Sequence, residues 1–358
     1  MENANSVRDS NFELLRILSM VMIVVLHIGN HGLGGYIDIP VFLSGFTEVI
    51  YYFIRSLTII AVSLYVLISG YFLSNSKFKI TKLINLFLET SFFSIAIYLL
   101  NVVLGYVDLG IVALIKSMFS VFFGEYWFVT VYFVLYAISP FLNKLIDNIN
   151  KKEHAYLLLL SFLISCIWQF VYVNEEIGVV GGYGLIYFMF LYFIGAYVRK
   201  YNFIIKNFNK NVYLLFYFLL AATNGLTTYI SEINFGGIDR LIQYNSPLIL
   251  AMSYCLFMYF KQLKIKSSKI NFVSKYVFGI YLVHEQSTFR QVLWNEFGIV
   301  EDIISSNGML FIVKMIGYSL IVFLFCWIVS FTITSIYNFL YRKLSKKSTF
   351  NKIKTAAP

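Results

Sequence analysis

Charged residues are scarce in this sequence: Asp, Glu, Lys and Arg together make up 13% of its 358 residues. Soluble proteins carry about 25%, so a water-exposed surface of ordinary extent is excluded. Cysteine is scarce too, and Cys166, Cys255 and Cys326 all lie in apolar runs. This placement argues against a disulfide framework or a cysteine-based metal site. Short alternating segments are absent, which argues against a membrane β-barrel.

Signatures of several enzyme classes are also missing. No histidine is followed five positions later by aspartate, so the pattern of the glycerolipid acyltransferases is absent. There is no nucleotide-binding P-loop and no His-Glu-x-x-His zinc motif. We therefore expect no cofactor and no metal site.

Apolar residues make up 59% of the chain and are gathered into runs of about 20 residues, the length that crosses a bilayer as a helix. The sequence therefore predicts an all-α, polytopic membrane protein with about ten transmembrane helices. It comprises one domain, residues 1–345, and a basic tail, residues 346–358. The predicted spans are 12–31, 48–73, 80–104, 127–146, 155–173, 183–199, 211–230, 246–261, 273–290 and 309–341.

The net charge of +10 comes from lysines and arginines that mostly fall in alternate loops, whereas the other loops carry mainly acids. The positive-inside rule then places both termini in the cytosol. The basic charge therefore reflects topology and contact with membrane lipid, and we expect no nucleic-acid partner. The segment 105–126 is too short and too mixed in polarity to cross the membrane. It predicts an interfacial amphipathic helix. The richness in Ile, Lys, Asn, Phe and Tyr suggests an AT-rich bacterial genome. We expect a multi-pass protein of the bacterial cytoplasmic membrane.

The first span carries two ionisable residues on one face. Arg16 and His27 are eleven residues apart, which returns a helix to within about 20° of the same direction, ~16 Å further along. Ionisable groups in a span are functional candidates. His27 is either a headgroup contact or a general base, and Arg16 is either a snorkelling cation or a ligand of phosphate or carboxylate.

Other polar residues fall at comparable depths. Glu89 lies near the middle of the third span and serves either a structural hydrogen bond or catalysis and proton relay. Lys79 and Lys82 precede it on the cytosolic side. Trp127 and Tyr132 belong to an aromatic segment that is either packing or a sugar-binding surface. Tyr281, His284, Glu285 and Arg290 belong to the ninth span and its outer end, which is either a loop-facing polar end or part of one outer-side cavity with His27. All six are candidate substrate-binding residues.

Three segments, taken in this order, resemble acyltransferase family 3, integral-membrane proteins that O-acetylate bacterial surface polysaccharides. They are Glu13-Leu14-Leu15-Arg16 with His27 eleven residues later, the segment 64–73 with Ser69-Gly70-Tyr71, and Gly279-Ile280-Tyr281-Leu282-Val283-His284. The segment 126–141 is also similar. Many family members carry an Arg-x-x-x-Arg motif at the start of the third span, where this chain has Lys77, Lys79 and Lys82.

The resemblance implies acetyl-CoA as the donor substrate and a glycan or lipid-linked sugar as the acceptor. It makes His27 the essential histidine and Arg16 a donor-binding or orienting group. We expect His27 to deprotonate the sugar hydroxyl, with Arg16, Lys79 and Lys82 holding CoA; an acetyl-histidine intermediate and a succinyl donor are variants. Glu89, His284 and Glu285 would orient His27 or the acceptor. The alternative function is a transporter or flippase for a polysaccharide precursor.

Overall fold

A computed structural model of the chain describes residues 9–33, 45–172, 178–203, 208–236 and 239–355. For Asp239 and residues 344–355 the description covers the backbone alone. Residue 173 of the predicted fifth span and residues 356–358 of the predicted tail lie outside the described part. Every regular element in that part is helical.

The helices are numbered here in chain order. They are α1 Ser10–His27, α2 Phe46–Thr58, α3 Ala61–Leu73, α4 Ile80–Val103, α5 Ile111–Met118, α6 Trp127–Asn148, α7 Lys151–Phe162, α8 Leu185–Tyr201, α9 Lys210–Phe235, α10 Pro247–Lys261, α11 Ser268–Ser274, α12 Val277–His284, α13 Ser287–Gln291, α14 Ile299–Ile304 and α15 Met309–Thr355. The shorter elements between them include three π-helices, Ile28–Gly32, Leu163–Trp168 and Val292–Glu296.

Eight helical segments among the described residues are long and apolar enough to cross a membrane. Each of them corresponds to one predicted span, so the prediction of a multi-pass helical membrane protein is confirmed. They are Ser10–Gly32, Phe46–Leu73, Ile80–Val103, Trp127–Asn148, Lys151–Val171, Lys210–Phe235, Arg240–Lys261 and Met309–Lys343.

The two other predicted spans take different forms. Span 183–199 is the 17-residue helix α8, at the lower limit of membrane-crossing length. Span 273–290 is broken into α11, α12 and α13. The break after α12 has a local cause, because Gln286 Oε1 accepts hydrogen bonds from the backbone N–H groups of Thr288 and Phe289 and thereby begins a new helix. The count of ten spans and the cytosolic placement of both termini stay predictions.

The interfacial helix predicted within residues 105–126 corresponds to α5, which has only eight residues. Its exposed apolar side chains include Ile111, Val112, Ile115 and Met118. A helix this short cannot cross a bilayer, and an exposed apolar face suits the boundary between lipid and water.

The centre of the bundle is the contact between α3 and α8. Their backbones approach so closely that a Cβ atom added at Gly70 would lie 2.3 Å from the carbonyl oxygen of Tyr192. A Cβ atom at Gly195 would lie 2.4 Å from that of Leu67. Glycine is therefore required on both helices, as is usual where membrane helices pack through small residues. Gly70 belongs to the Ser69-Gly70-Tyr71 segment, so close packing explains that part of the motif.

Candidate active site

A cavity lies beside the second half of α1, and His27 is part of its wall. The face of α1 that begins at Arg16 continues through Met20 and Ile23 to His27, and the last three of these residues line the cavity. The space in it that no atom fills is about 530 Å³, including the solvent at its mouth. The wall is mostly apolar and aromatic, and the residues from other elements are Val62, Tyr65, Trp127, Phe128, Tyr244, Phe278 and Tyr281.

A second cavity lies nearer the end of the bundle where α1 and α3 meet through Phe12 and Tyr71. Its wall includes Lys82 and Glu89 of α4 and Phe278 of α12. The remaining lining residues are Leu73, Asn85, Leu86, Tyr132 and Tyr136. Phe278 belongs to the walls of both cavities. Phe278 is thus the residue that the space beside Lys82 and the space beside His27 have in common.

Hydrogen bonds fix the proton positions on two facing histidines. His284 is fully buried, and its Nδ1 lies 2.6 Å from the carbonyl oxygen of Ile280. A carbonyl can only accept, so His284 Nδ1 carries a proton, and Nε2 of the neutral ring carries a lone pair. His284 Nε2 lies 3.0 Å from Nδ1 of His27, so His27 donates from Nδ1. His27 Nε2 is then the unprotonated nitrogen, which is the form that a general base needs.

The carboxylate of Glu285 lies against the same imidazole. Glu285 is buried, and its Oε1 lies 3.0 Å from His27 Nδ1 and 3.5 Å from His31 Nε2. The hydrogen-bond geometry of His27 Nδ1 favours His284, and apart from His27 and His31 no described residue offers Oε1 a hydrogen bond. The other oxygen, Oε2, pairs with Arg290 Nη1 at 3.4 Å. A fixed negative charge at this position stabilises the imidazolium that forms when His27 takes a proton.

A hydrogen-bond network around Glu125 holds the turn that carries His284 and Glu285. The Glu125 carboxylate accepts hydrogen bonds from Ser94 at 2.9 Å, Gln286 at 3.0 Å and Ser287 at 2.9 Å. The next residue, Tyr126, donates from its hydroxyl to the carbonyl of Leu282 at 3.1 Å. The start of α6 and the end of α12 are therefore tied together on both sides of the histidine.

Arg16 is close to the cavity but does not line it. Its guanidinium pairs with Glu13 Oε1 at 2.6 Å and lies 5.8 Å from the ring centroid of Phe72. Its side chain is 30% exposed, so it can reach an anionic ligand. The backbone connects it to the cavity, because the hydroxyl of Tyr65, a wall residue, donates to the Arg16 carbonyl at 2.7 Å.

The family model for the acyltransferase domain of acyltransferase family 3 matches residues 9–331. The chain belongs to acyltransferase family 3. Comparisons with curated proteins and with solved structures find no significant match. Membership makes the protein a membrane acyltransferase by family, and the matched region contains every candidate site residue discussed above.

Most of the residues predicted from the sequence meet at the two cavities of this family 3 protein. Around the first cavity lie His27, Trp127, Tyr281, His284, Glu285 and Arg290. The second cavity has Lys82, Glu89 and Tyr132 in its wall. Lys79 is exposed, and its backbone N–H and carbonyl both bond to the Tyr136 hydroxyl at that cavity. The catalytic and binding roles of all these residues stay predictions.

Glu125, Phe278 and Glu13 also belong to the site, but none of them was predicted from the sequence as a site residue. Glu125 directly precedes the aromatic segment 126–141, so its proximity to Trp127 was an available signal. Phe278 is one of 37 phenylalanines and carries no signal of its own. Glu13 lies three residues before Arg16, a spacing at which opposite charges pair on a helix.

Proposed function

We propose that the protein transfers an acetyl group from acetyl-CoA to a hydroxyl of a surface polysaccharide or of a lipid-linked sugar. The observation that carries this proposal is the pair of contacts that orients His27: its Nδ1 lies 3.0 Å from His284 Nε2, and His284 Nδ1 lies 2.6 Å from the Ile280 carbonyl. In a neutral His27 ring these contacts leave Nε2 as the free base. The imidazole belongs to a cavity wall rich in aromatic rings, and apolar and aromatic linings are typical of small-molecule sites. Aromatic surfaces also suit the stacking of sugar rings.

The donor would reach this base from the second cavity. Acetyl-CoA is anionic at its phosphates, and Lys82 in that cavity wall, exposed Lys79 and partly exposed Arg16 are cations at the same end of the bundle. Lysines act on phosphates as point charges. The acyl end of an elongated donor would pass Phe278, the residue common to both cavities. This end of the bundle is the one predicted to face the cytosol, where acetyl-CoA is available.

The chemistry follows as one exchange of bonds. His27 Nε2 takes the proton of the sugar hydroxyl while the hydroxyl oxygen forms a bond to the thioester carbonyl carbon. The tetrahedral intermediate then breaks its carbon–sulfur bond, and the CoA thiolate takes the proton back from His27. Glu285 stabilises the transient imidazolium by charge. In the variant with an acetyl-histidine intermediate, Nε2 attacks the thioester carbonyl and expels the CoA thiolate. The sugar hydroxyl then attacks the acetyl group, its proton goes to the thiolate, and His27 leaves as the neutral imidazole.

Tyr281 is our candidate for stabilising the oxyanion of that intermediate. It lines the cavity beside His27, and its buried hydroxyl makes no hydrogen bond to any side chain that the structure describes. A hydrogen-bond donor held ready in a water-poor site typically contributes about 10²- to 10³-fold to kcat. We therefore expect Tyr281→Phe to lower kcat by about that factor while leaving the KM for acetyl-CoA within about threefold of wild type.

A cellular experiment tests the proposed function as a whole. Cells producing the wild-type protein should carry O-acetyl groups on their surface glycan that cells producing His27→Ala lack, at equal membrane abundance of the two proteins. His154→Gln is the control, because His154 bonds to the Phe193 carbonyl away from either cavity, and it should retain acetylation. Unchanged acetyl content with His27→Ala would refute the proposed function and favour the alternative of a precursor transporter.

A further inference from the structure

Three potential metal ligands converge next to the first cavity. A nitrogen of His27, a nitrogen of His31 and a carboxylate oxygen of Glu285 all lie within 4.8 Å of one another. We propose that this cluster binds a divalent transition-metal ion of the zinc class through His27 Nδ1, His31 Nε2 and Glu285 Oε1, and that the bound ion stops acyl transfer. This proposal departs from the sequence-based expectation of no metal site, which considered only spacings along the chain.

The donor set and its spacing suit zinc. Two imidazole nitrogens and one carboxylate oxygen are a ligand combination of known zinc sites, with water as the fourth ligand. Bond lengths of about 2.0–2.1 Å in a tetrahedron place neighbouring ligand atoms about 3.3 Å apart. The distances from Glu285 Oε1 to His27 Nδ1 and His31 Nε2 are 3.0 Å and 3.5 Å. Small side-chain adjustments would therefore complete the site.

The local backbone brings the two histidines to one side. His27 ends α1, and His31 follows four residues later in the π-helix Ile28–Gly32. The ring centroids are 5.0 Å apart. Two histidines four residues apart on one helical face are the arrangement that helical zinc motifs use.

The carboxylate provides an independent observation that points to a cation. Glu285 Oε1 is buried and, apart from the two histidines of the cluster, has no hydrogen-bond donor among the described residues, a costly state for a charged oxygen. Arg290 engages only the other oxygen, Oε2, and so holds the carboxylate in place while leaving Oε1 for an ion. His31 is 33% exposed, so an ion can approach the cluster from its side.

Metal binding would act on catalysis through the proton of His27. An ion on Nδ1 needs the lone pair of that nitrogen, so the proton of the neutral ring moves to Nε2 and the hydrogen bond to His284 breaks. Nε2 then has no lone pair with which to take a proton from the acceptor hydroxyl. This second part of the proposal rests on the proposed function, whereas the binding of the ion does not.

The binding experiment uses the full-length, tag-free protein in lipid nanodiscs. Equilibrium dialysis with Zn²⁺, read by elemental analysis, should give one ion per chain for the wild type, and Co²⁺ should give the visible absorption of a nitrogen- and oxygen-ligated site. His31→Gln and Glu285→Gln should each weaken the Kd for Zn²⁺ at least about tenfold. Glu301→Gln is the matched control, since Glu301 is an exposed carboxylate outside the cluster, and it should bind like the wild type.

The activity experiment separates the two parts of the proposal. Zn²⁺ should inhibit acyl transfer by the wild type and by Glu301→Gln, whereas His31→Gln should retain basal transfer and resist the ion. Absence of stoichiometric Zn²⁺ binding in the wild type, or wild-type affinity in His31→Gln, would overturn the site. Stoichiometric binding together with transfer that Zn²⁺ leaves unaffected would overturn the inhibition alone. If the wild type transfers no acetyl group but binds Zn²⁺ as described, the proposed function fails and the metal site stands.

Discussion

Nδ1 of His27 donates to Nε2 of His284 across 3.0 Å, and the carbonyl of Ile280 holds the remaining proton on His284 Nδ1. A buried backbone carbonyl therefore sets, through one intervening ring, which nitrogen of His27 is free to act as a base. The three residues come from two helices far apart in the chain, α1 and α12.

His284 should matter through the hydrogen bond it accepts. We expect His284→Leu, which removes the acceptor, to lower kcat by about 10²- to 10⁴-fold, the range for loss of a positioned proton acceptor. His284→Gln can still offer a carbonyl oxygen to His27 and should retain more activity than His284→Leu. The measurement is kcat of purified variants with matched thermal stability. Equal kcat for His284→Leu and the wild type would show that the facing ring has no part in catalysis.

Phe278 should control passage between the two cavities. Phe278→Trp enlarges the ring that both cavity walls share. We therefore expect kcat/KM for acetyl-CoA to fall about tenfold or more. Phe278→Ala should admit water to the thioester and raise CoA release without acceptor. Phe339→Trp serves as the control, because Phe339 is an exposed side chain on α15. Wild-type kinetics in both Phe278 variants would rule out a donor path past this residue.

Two glycines provide a paired test of the helix packing. Gly70→Ala places a methyl group against the backbone of α8 and should lower stability by about 1–3 kcal/mol. Gly317→Ala lies on α15 with no atom within 4 Å of the added Cβ and should be neutral or slightly stabilising, as alanine is favoured over glycine in helices. Thermal unfolding in the same detergent measures both. A Gly70→Ala protein as stable as Gly317→Ala would contradict the close approach of α3 and α8.

Asp302 provides a test of pH dependence outside the membrane-spanning segments. Hydrogen bonds from Lys314 Nζ at 2.8 Å and from the Tyr318 hydroxyl at 2.8 Å hold the pKa of its carboxyl below the ordinary value of 3.8. A lowered pKa means that this contact stabilises the fold above pH 3.8 and that the stabilisation is lost as pH falls through the folded-state value.

The comparison of wild type with Asp302→Asn isolates that contribution. The difference in Tm between the two proteins should be largest near pH 7 and should shrink as the pH is lowered below about 4. Thermal unfolding at a series of pH values measures it. A Tm difference that stays constant down to pH 3 would mean that the carboxylate charge contributes nothing.

The long apolar runs made the membrane helices predictable, since about 20 apolar residues have few alternatives to spanning a bilayer. The shared face of Arg16 and His27 was predictable because helix geometry fixes it. The break between α12 and α13 was not, because it depends on the side chain of Gln286 bonding to nearby backbone. The pairing of His27 with His284 was only a hypothesis from the sequence, since 257 residues separate them and local pattern carries no distance information at that range.

The central claim is that His27 Nε2 accepts the proton of the acceptor hydroxyl during acetyl transfer. The most direct measurement follows radiolabelled acetyl groups from acetyl-CoA to glycan in proteoliposomes that contain the purified wild type or His27→Gln at equal, folded amounts. The account predicts acceptor-dependent transfer by the wild type and a rate at least about 10²-fold lower for His27→Gln. Transfer by His27→Gln at the wild-type rate would contradict it.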